Sequence, residues 1–161
     1  MSSQFLERAL KSRFLQFTLG SDDYCIPLTL VREVVPMPRI TPIPLMPPYF
    51  AGLGNMRGRA LPIVDLRIKL GITAREQPEQ AVIICNMDNM VLGLLVDCIH
   101  SVFAPSPEQF IEAPRTGKVA TPEFIEGLFS LREKMVLVIN PERVLNAEER
   151  ATATAAQATA A

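Results

Sequence analysis

A chain of 161 residues, 48% of them apolar, can bury a real core in one domain or two very small ones, which argues against global disorder. Lys and Arg number 16 against 17 Asp and Glu, a near-balance that argues against a nucleic-acid binder. The three cysteines, Cys25, Cys85 and Cys98, are odd in number and lack CxxC spacing, so they read as reduced thiols rather than a disulfide framework.

In chain order, the start MSSQFLERALKSRF carries charges where the apolar core of a signal peptide would lie. The longest apolar runs, such as Met90 to Val96, are too short to span a bilayer. A soluble, cytoplasmic protein is expected, with residues 1–12 as an N-terminal segment. Short runs of Val, Ile and Leu bounded by turn residues then predict an all-β barrel or sandwich. Strands are predicted at Phe14–Leu19, Tyr24–Pro27, Leu53–Met56, Ala60–Asp65, Ala81–Asn86, Met90–Val96, Ile99–Phe103, Gly127–Leu131 and Met135–Asn140. Met87-Asp88-Asn89 and Arg132-Glu133-Lys134 are read as hairpin tips. Six prolines in PMPRITPIPLMPP, residues 36–48, predict an extended surface connector. Asn146 with Glu149 three residues on predicts a capping box and a short C-terminal helix, fraying into an Ala/Thr-rich flexible tail over 150–161.

The chain also resembles itself. Displaced by the 75 residues that separate Gly52 from Gly127, Gly52-Leu53 falls on Gly127-Leu128, Arg57 on Arg132 and Arg59 on Lys134. Under the same displacement LPIVD, Leu61 to Asp65, falls on VLVIN, Val136 to Asn140. A displacement of 68 sets Ile26, Val31, Val34 and Val35 on Leu94, Ile99, Val102 and Phe103. Two similar small barrels are predicted, each too small for a large core of its own, and therefore sharing a buried interface.

Catalytic chemistry finds little support. Cys98 and His100 share a strand face but start too far apart for a nucleophile–base hydrogen bond. No cluster converges with zinc-ligand spacing. Asp65 and Asp97 end apolar strands, where aspartate caps a following turn. The stretch GNMRGRALPIVDL offers a basic, Gly-rich turn, but a strand follows it where a phosphate loop needs a helix. A hairpin tip accounts for Gly58 and leaves Asn55 and Arg57 without a role.

Those residues carry a resemblance. GLGNMRGRALPIVDLRIKLG, Gly52 to Gly71, resembles the signature of the CheW family of chemotaxis coupling proteins. So do FTLGSDDYCIPLTLVREVV, GLLVDCIHSV and MVLVINPERVLNAEE, in that order along a domain spanning 13–149. The resemblance implies a mainly β fold: two five-stranded SH3-like β-barrels on a shared hydrophobic core, with short helices including a C-terminal one. It implies a non-enzymatic adaptor without cofactor or metal, recruited to membrane-associated receptor arrays without membrane insertion. The implied partners are the cytoplasmic helical tip of chemoreceptors and the regulatory domain of the histidine kinase CheA. A coupler in type IV pilus motility or another chemosensory pathway is the alternative, followed by a small-ligand-binding barrel.

Residue by residue, Val31 and Glu33 match the family's VxE step, whose Glu pairs with the arginine of the NxRG turn, here Arg57. Asn55 and Gly58 complete that turn, and Gly52 and Val102 match receptor-contacting positions. Val31, Gly52, Arg57 and Val102 are expected to form an apolar groove with a polar rim at the barrel junction. Met56 stands where Leu is usual, and Cys98 where a small residue is common.

Overall fold

The computed structural model describes residues 4–73, 78–87, 90–114 and 121–160. A short helix α1 (Gln4–Ala9) leads into β1 (Phe14–Leu19), β2 (Asp22–Pro27), β3 (Val31–Pro36), β4 (Ile40–Thr41), β5 (Phe50–Met56) and β6 (Arg59–Asp65). One turn of helix, α2 (Leu66–Lys69), follows, capped by the Asp65 carboxylate, which accepts from the Arg67 N–H. Then come β7 (Ala81–Met87), β8 (Met90–Val96), β9 (Cys98–Phe103), β10 (Phe110–Glu112), β11 (Ile125–Leu131), β12 (Lys134–Ile139) and α3 (Ala147–Ala160).

The strands form two six-stranded sheets, ordered β10-β11-β12-β2-β1-β9 and β3-β7-β8-β6-β5-β4. The fold is mainly β, as expected, with two barrels and short helices. Each sheet gains a short edge strand, β4 or β10, of two and three residues. Such strands are too short to show an alternation. The connector at 36–48 thus contains β4, and β3 was legible only as a paired apolar step because Arg32 and Glu33 interrupt its pattern. The tip at 88–89 lies outside the described residues, and Leu131 pairs with Lys134 around the other tip.

The internal repeat is an exchange in three dimensions. β1 and β2 of the first half join β9 to β12 of the second, while β7 and β8 join β3 to β6. Each half therefore lends its first hairpin to the other half's sheet, where β7 pairs with β3 and β1 with β9. The parallel pairings coincide under the repeat: Val138 faces Cys25 in one sheet, Ile63 faces Gly93 in the other. Backbone bonds repeat as well, with Asp65 N–H donating to Tyr49 O at 2.7 Å and Asn140 N–H to Phe124 O at 2.8 Å.

Three apolar clusters follow from this exchange. The largest, with Phe17, Ile26, Val64, Ile83, Leu92 and Leu94, draws on both sheets and is the shared core. A second surrounds Phe14 and Phe129, and α1 packs Ala9 and Phe5 into it, with Leu10 just after the helix. The third comprises Leu61, Ile63, Val82, Ile84 and Leu95. Each fully buried side chain of this size contributes about 1.5–3 kcal/mol, so the clusters dominate the stability. No described helix is long and apolar enough to cross a membrane.

The C-terminal helix keeps its capping box: Glu149 N–H donates to Asn146 Oδ1 at 2.7 Å and Asn146 N–H to Glu149 Oε1 at 2.9 Å. It runs on to Ala160 rather than fraying early, with Ala153 fully buried and Gln157 Nε2 donating to the Ala60 carbonyl at 2.8 Å.

Candidate functional site

The β5–β6 hairpin closes on two residues, Arg57 and Gly58, since Met56 pairs with Arg59. Both have positive φ, 54° and 82°, as a two-residue turn matched to strand twist requires. Glycine adopts this conformation freely, but arginine does so at a cost. Asn55 steadies the turn by accepting the Gly58 N–H on Oδ1 at 3.1 Å. Upstream, Gly52 has φ 140° at a bulge opposite β6. A Cβ there would lie 2.2 Å from the Thr41 carbonyl oxygen, so β4 can pair only because residue 52 is glycine.

On β3, an edge strand of the same sheet separated from β6 by β7 and β8, the register slips between Val31 and Glu33. The Glu33 carboxylate there receives both arms of Arg57, Nη1 to Oε1 and Nη2 to Oε2, each at 3.0 Å. This is the parallel fork that guanidinium and carboxylate favour. The Arg57 side chain is 73% exposed, and such pairs are worth about 0–1 kcal/mol. The fork sets the shape of the tip rather than holding the fold together.

Behind the fork lies a cleft of about 340 Å³. Its floor is Met56, Leu61, Ile84 and Val91, from or against the third cluster. Arg32, Glu33, Arg57 and Arg59 rim it, and Gln157 reaches it from α3. The structure thus brings Glu33, Asn55, Arg57 and Gly58 together, with Gly52 upstream on the same strand as Asn55. Val31 packs instead against the shared core, opposite Cys85. Val102 is exposed on β9 of the other sheet, opposite Leu15, and does not line this cleft. Sequence reasoning gave no site role to Arg32, Arg59 or Gln157. For Arg59 a signal existed, because alternation places it on the face of Leu61; for Gln157, 97 residues from its partner Ala60, there was none.

The residues weighed for catalysis are engaged elsewhere. His100 Nε2 meets the Thr18 hydroxyl and lies 3.6 Å from Asp23 Oδ1. The Cys98 thiol donates to Glu79 Oε2 at 3.2 Å, and that bond raises its pKa. Asp65 and Asp97 do converge, but on a guanidinium. Arg67 donates from Nε and Nη2 to Asp65 at 3.0 and 2.9 Å and from Nη1 to Asp97 at 2.8 Å, all three residues being buried. The Asp65 hydrogen bonds hold the Arg67 pKa above its usual value. Among the described residues no three His, Cys, Asp or Glu side chains group to hold a metal.

The chain is similar to known proteins along most of its length. A family model described as the CheW-like domain matches residues 13–149. Chemotaxis protein CheW of Klebsiella aerogenes is 32% identical over 150 residues, covering 92% of this chain and 90% of that protein. The CheW of Rhizobium meliloti is 29% identical over 140 residues, with 86% and 90% covered. Protein PilI of Pseudomonas aeruginosa is 31% identical over 127 residues, with 78% and 70% covered. The crystal structure of the scaffolding protein TtCheW from Thermoanaerobacter tengcongensis matches with a TM-score of 0.77 at 28% identity, over 86% of this chain and 97% of that one.

Proposed function

We propose a function for this chain from the CheW family, to which it belongs over residues 13–149. It is a non-enzymatic adaptor that couples chemoreceptors to the histidine kinase CheA. The observation that carries the reading is the Glu33–Arg57 fork across β3 and the β5–β6 tip. A strained, exposed arginine is held there in one conformation by a bond pair that adds little stability. Such an arrangement serves recognition. The partner surface comprises Val31, Glu33, Gly52, Asn55, Arg57 and Gly58 on one sheet and Val102 on the other, a groove across which the receptor's helical hairpin lies. The regulatory domain of the kinase docks elsewhere on the barrels, and the adaptor is recruited to receptor arrays through both contacts.

Co-sedimentation with a receptor signalling fragment and with CheA tests this reading. The full chain is expected to pellet with each, and binding to neither would sink it. Protein PilI is similar to this chain at an identity close to that of the CheW proteins. A coupler in another chemosensory pathway, type IV pilus motility among them, is therefore the second reading. Which kinase co-purifies with the chain decides between the two.

A further inference from the structure

Two arginines at the cleft have no carboxylate of their own. Arg57 is engaged by Glu33, whereas neither Arg32 nor Arg59 has an ion pair or side-chain hydrogen bond among the described residues. Each reaches the cleft for a backbone reason. Arg59 lies two residues before Leu61 on β6, so the pleat places it on the row of Leu61 and Ile63, at the open end of an apolar face. Arg32 is the extra residue where β3 slips against β7, and a bulge re-aims a side chain that strict alternation would turn away from Glu33. Both side chains are exposed, and both line the cleft above the floor of Met56, Leu61 and Ile84.

We propose that Arg32 and Arg59 read carboxylates on the partner. The cleft takes an apolar side chain of a partner helix, flanked on that helix by Asp or Glu residues that pair with the two arginines. Three guanidinium groups face one internal carboxylate here, leaving two positive charges over an apolar floor. The complement of that surface is an apolar residue with acidic neighbours. Guanidinium suits the role, since it stays charged, is weakly hydrated and forks onto a carboxylate. A cleft of about 340 Å³ accepts side chains, so the partner's backbone lies across its rim.

This inference rests on the adaptor reading and names the chemistry of its receptor contact. Titration calorimetry of the full chain against a soluble receptor signalling fragment, and separately against the kinase regulatory domain, tests it. Arg32→Glu and Arg59→Glu are each expected to weaken receptor binding about tenfold, the like-charge penalty at a rim, with Arg→Gln variants in between. Wild-type affinity should fall with added salt, and more steeply than that of the variants. Acid-to-Lys changes on the receptor helix should restore binding to the reversed variants. If folded Arg32→Glu and Arg59→Glu chains bind the receptor fragment as wild type does, the proposal is wrong. It is equally wrong if the loss falls on the kinase arm instead. A wild-type chain that binds neither partner overturns the adaptor reading itself, a different result.

Discussion

Arg57 sits where asparagine or glycine would be at ease. Its φ of 54° costs a side chain about 1 kcal/mol, and the exposed fork to Glu33 returns no more than that. Arg57→Gly should therefore leave thermal stability unchanged or raise it slightly, while receptor coupling of CheA autophosphorylation drops. Arg57→Glu should also fold and lose coupling, with partial recovery on adding Glu33→Arg. A silent Arg57→Glu in the coupled kinase assay would remove the fork from the mechanism. The two nearby glycines differ in kind. A Cβ on Gly58 meets nothing within 4 Å, so Gly58→Ala carries only backbone strain, about 1 kcal/mol at φ 82°. Gly52→Ala drives a methyl into the Thr41 carbonyl at 2.2 Å and should cost clearly more, in urea unfolding, by displacing β4. Burial pushes the Cys85 thiol from 9.0 up to about 12, and Cys25 shifts the same way. Between those values the folded chain keeps a proton that the unfolded chain releases. Stability is then full below about pH 9 and lost as pH rises toward 12, by up to about 1.4 kcal/mol per pH unit for each thiol. Urea midpoints at pH 8 and pH 10 measure this, and Cys85→Ala should shrink the difference.

At the scale of elements, the sequence was clearest where two signals agreed. β1, β6, β7, β8 and β12 combine apolar runs with turn residues, and their predicted bounds fall within a residue of those observed, whereas β5 begins three residues earlier than predicted. The cap of α3 was readable from Asn146 and Glu149 alone, since both bonds are local. Asn146→Ala should destabilise the chain by about 1 kcal/mol, visible as lost helical circular dichroism before global unfolding. The cleft was less readable because its parts come from β3, β6 and α3. A bulge at Arg32 leaves no mark in the sequence, and Arg59 looked like one more charge beside a turn. The pair Glu33–Arg57 was reached by resemblance and not by spacing, which would have left both as solvated charges.

At the scale of the whole molecule, the exchange of the β1–β2 and β7–β8 hairpins leaves few ways for the two barrels to move apart. The chain crosses between the sheets from β2 to β3 and from β8 to β9, and at the second crossing Asp97 is the single linking residue. Its N–H donates to Thr18 O at 3.1 Å and its Oδ2 accepts from Gly20 N–H at 2.7 Å, both on the first sheet's β1–β2 corner. Its Oδ1 accepts from Arg67, which follows β6 of the second sheet and also holds Asp65. One guanidinium therefore bridges two buried carboxylates at the joint. The repeat predicted a shared interface, but a polar lock within it was not legible, because Arg67 and Asp97 are 30 residues apart and look like separate turn residues. Removing the cation leaves two buried acids unpaired, which costs about 3–5 kcal/mol in systems of this kind. Arg67→Met should thus lower the urea midpoint far more than Arg57→Glu, although each removes one arginine from a carboxylate. Adding Asp65→Asn and Asp97→Asn to Arg67→Met should recover much of the loss, since no buried charge then remains at the joint. If Arg67→Met is no more destabilising than Arg57→Glu, the joint is held by the shared apolar core alone and the triad does not lock the barrels together.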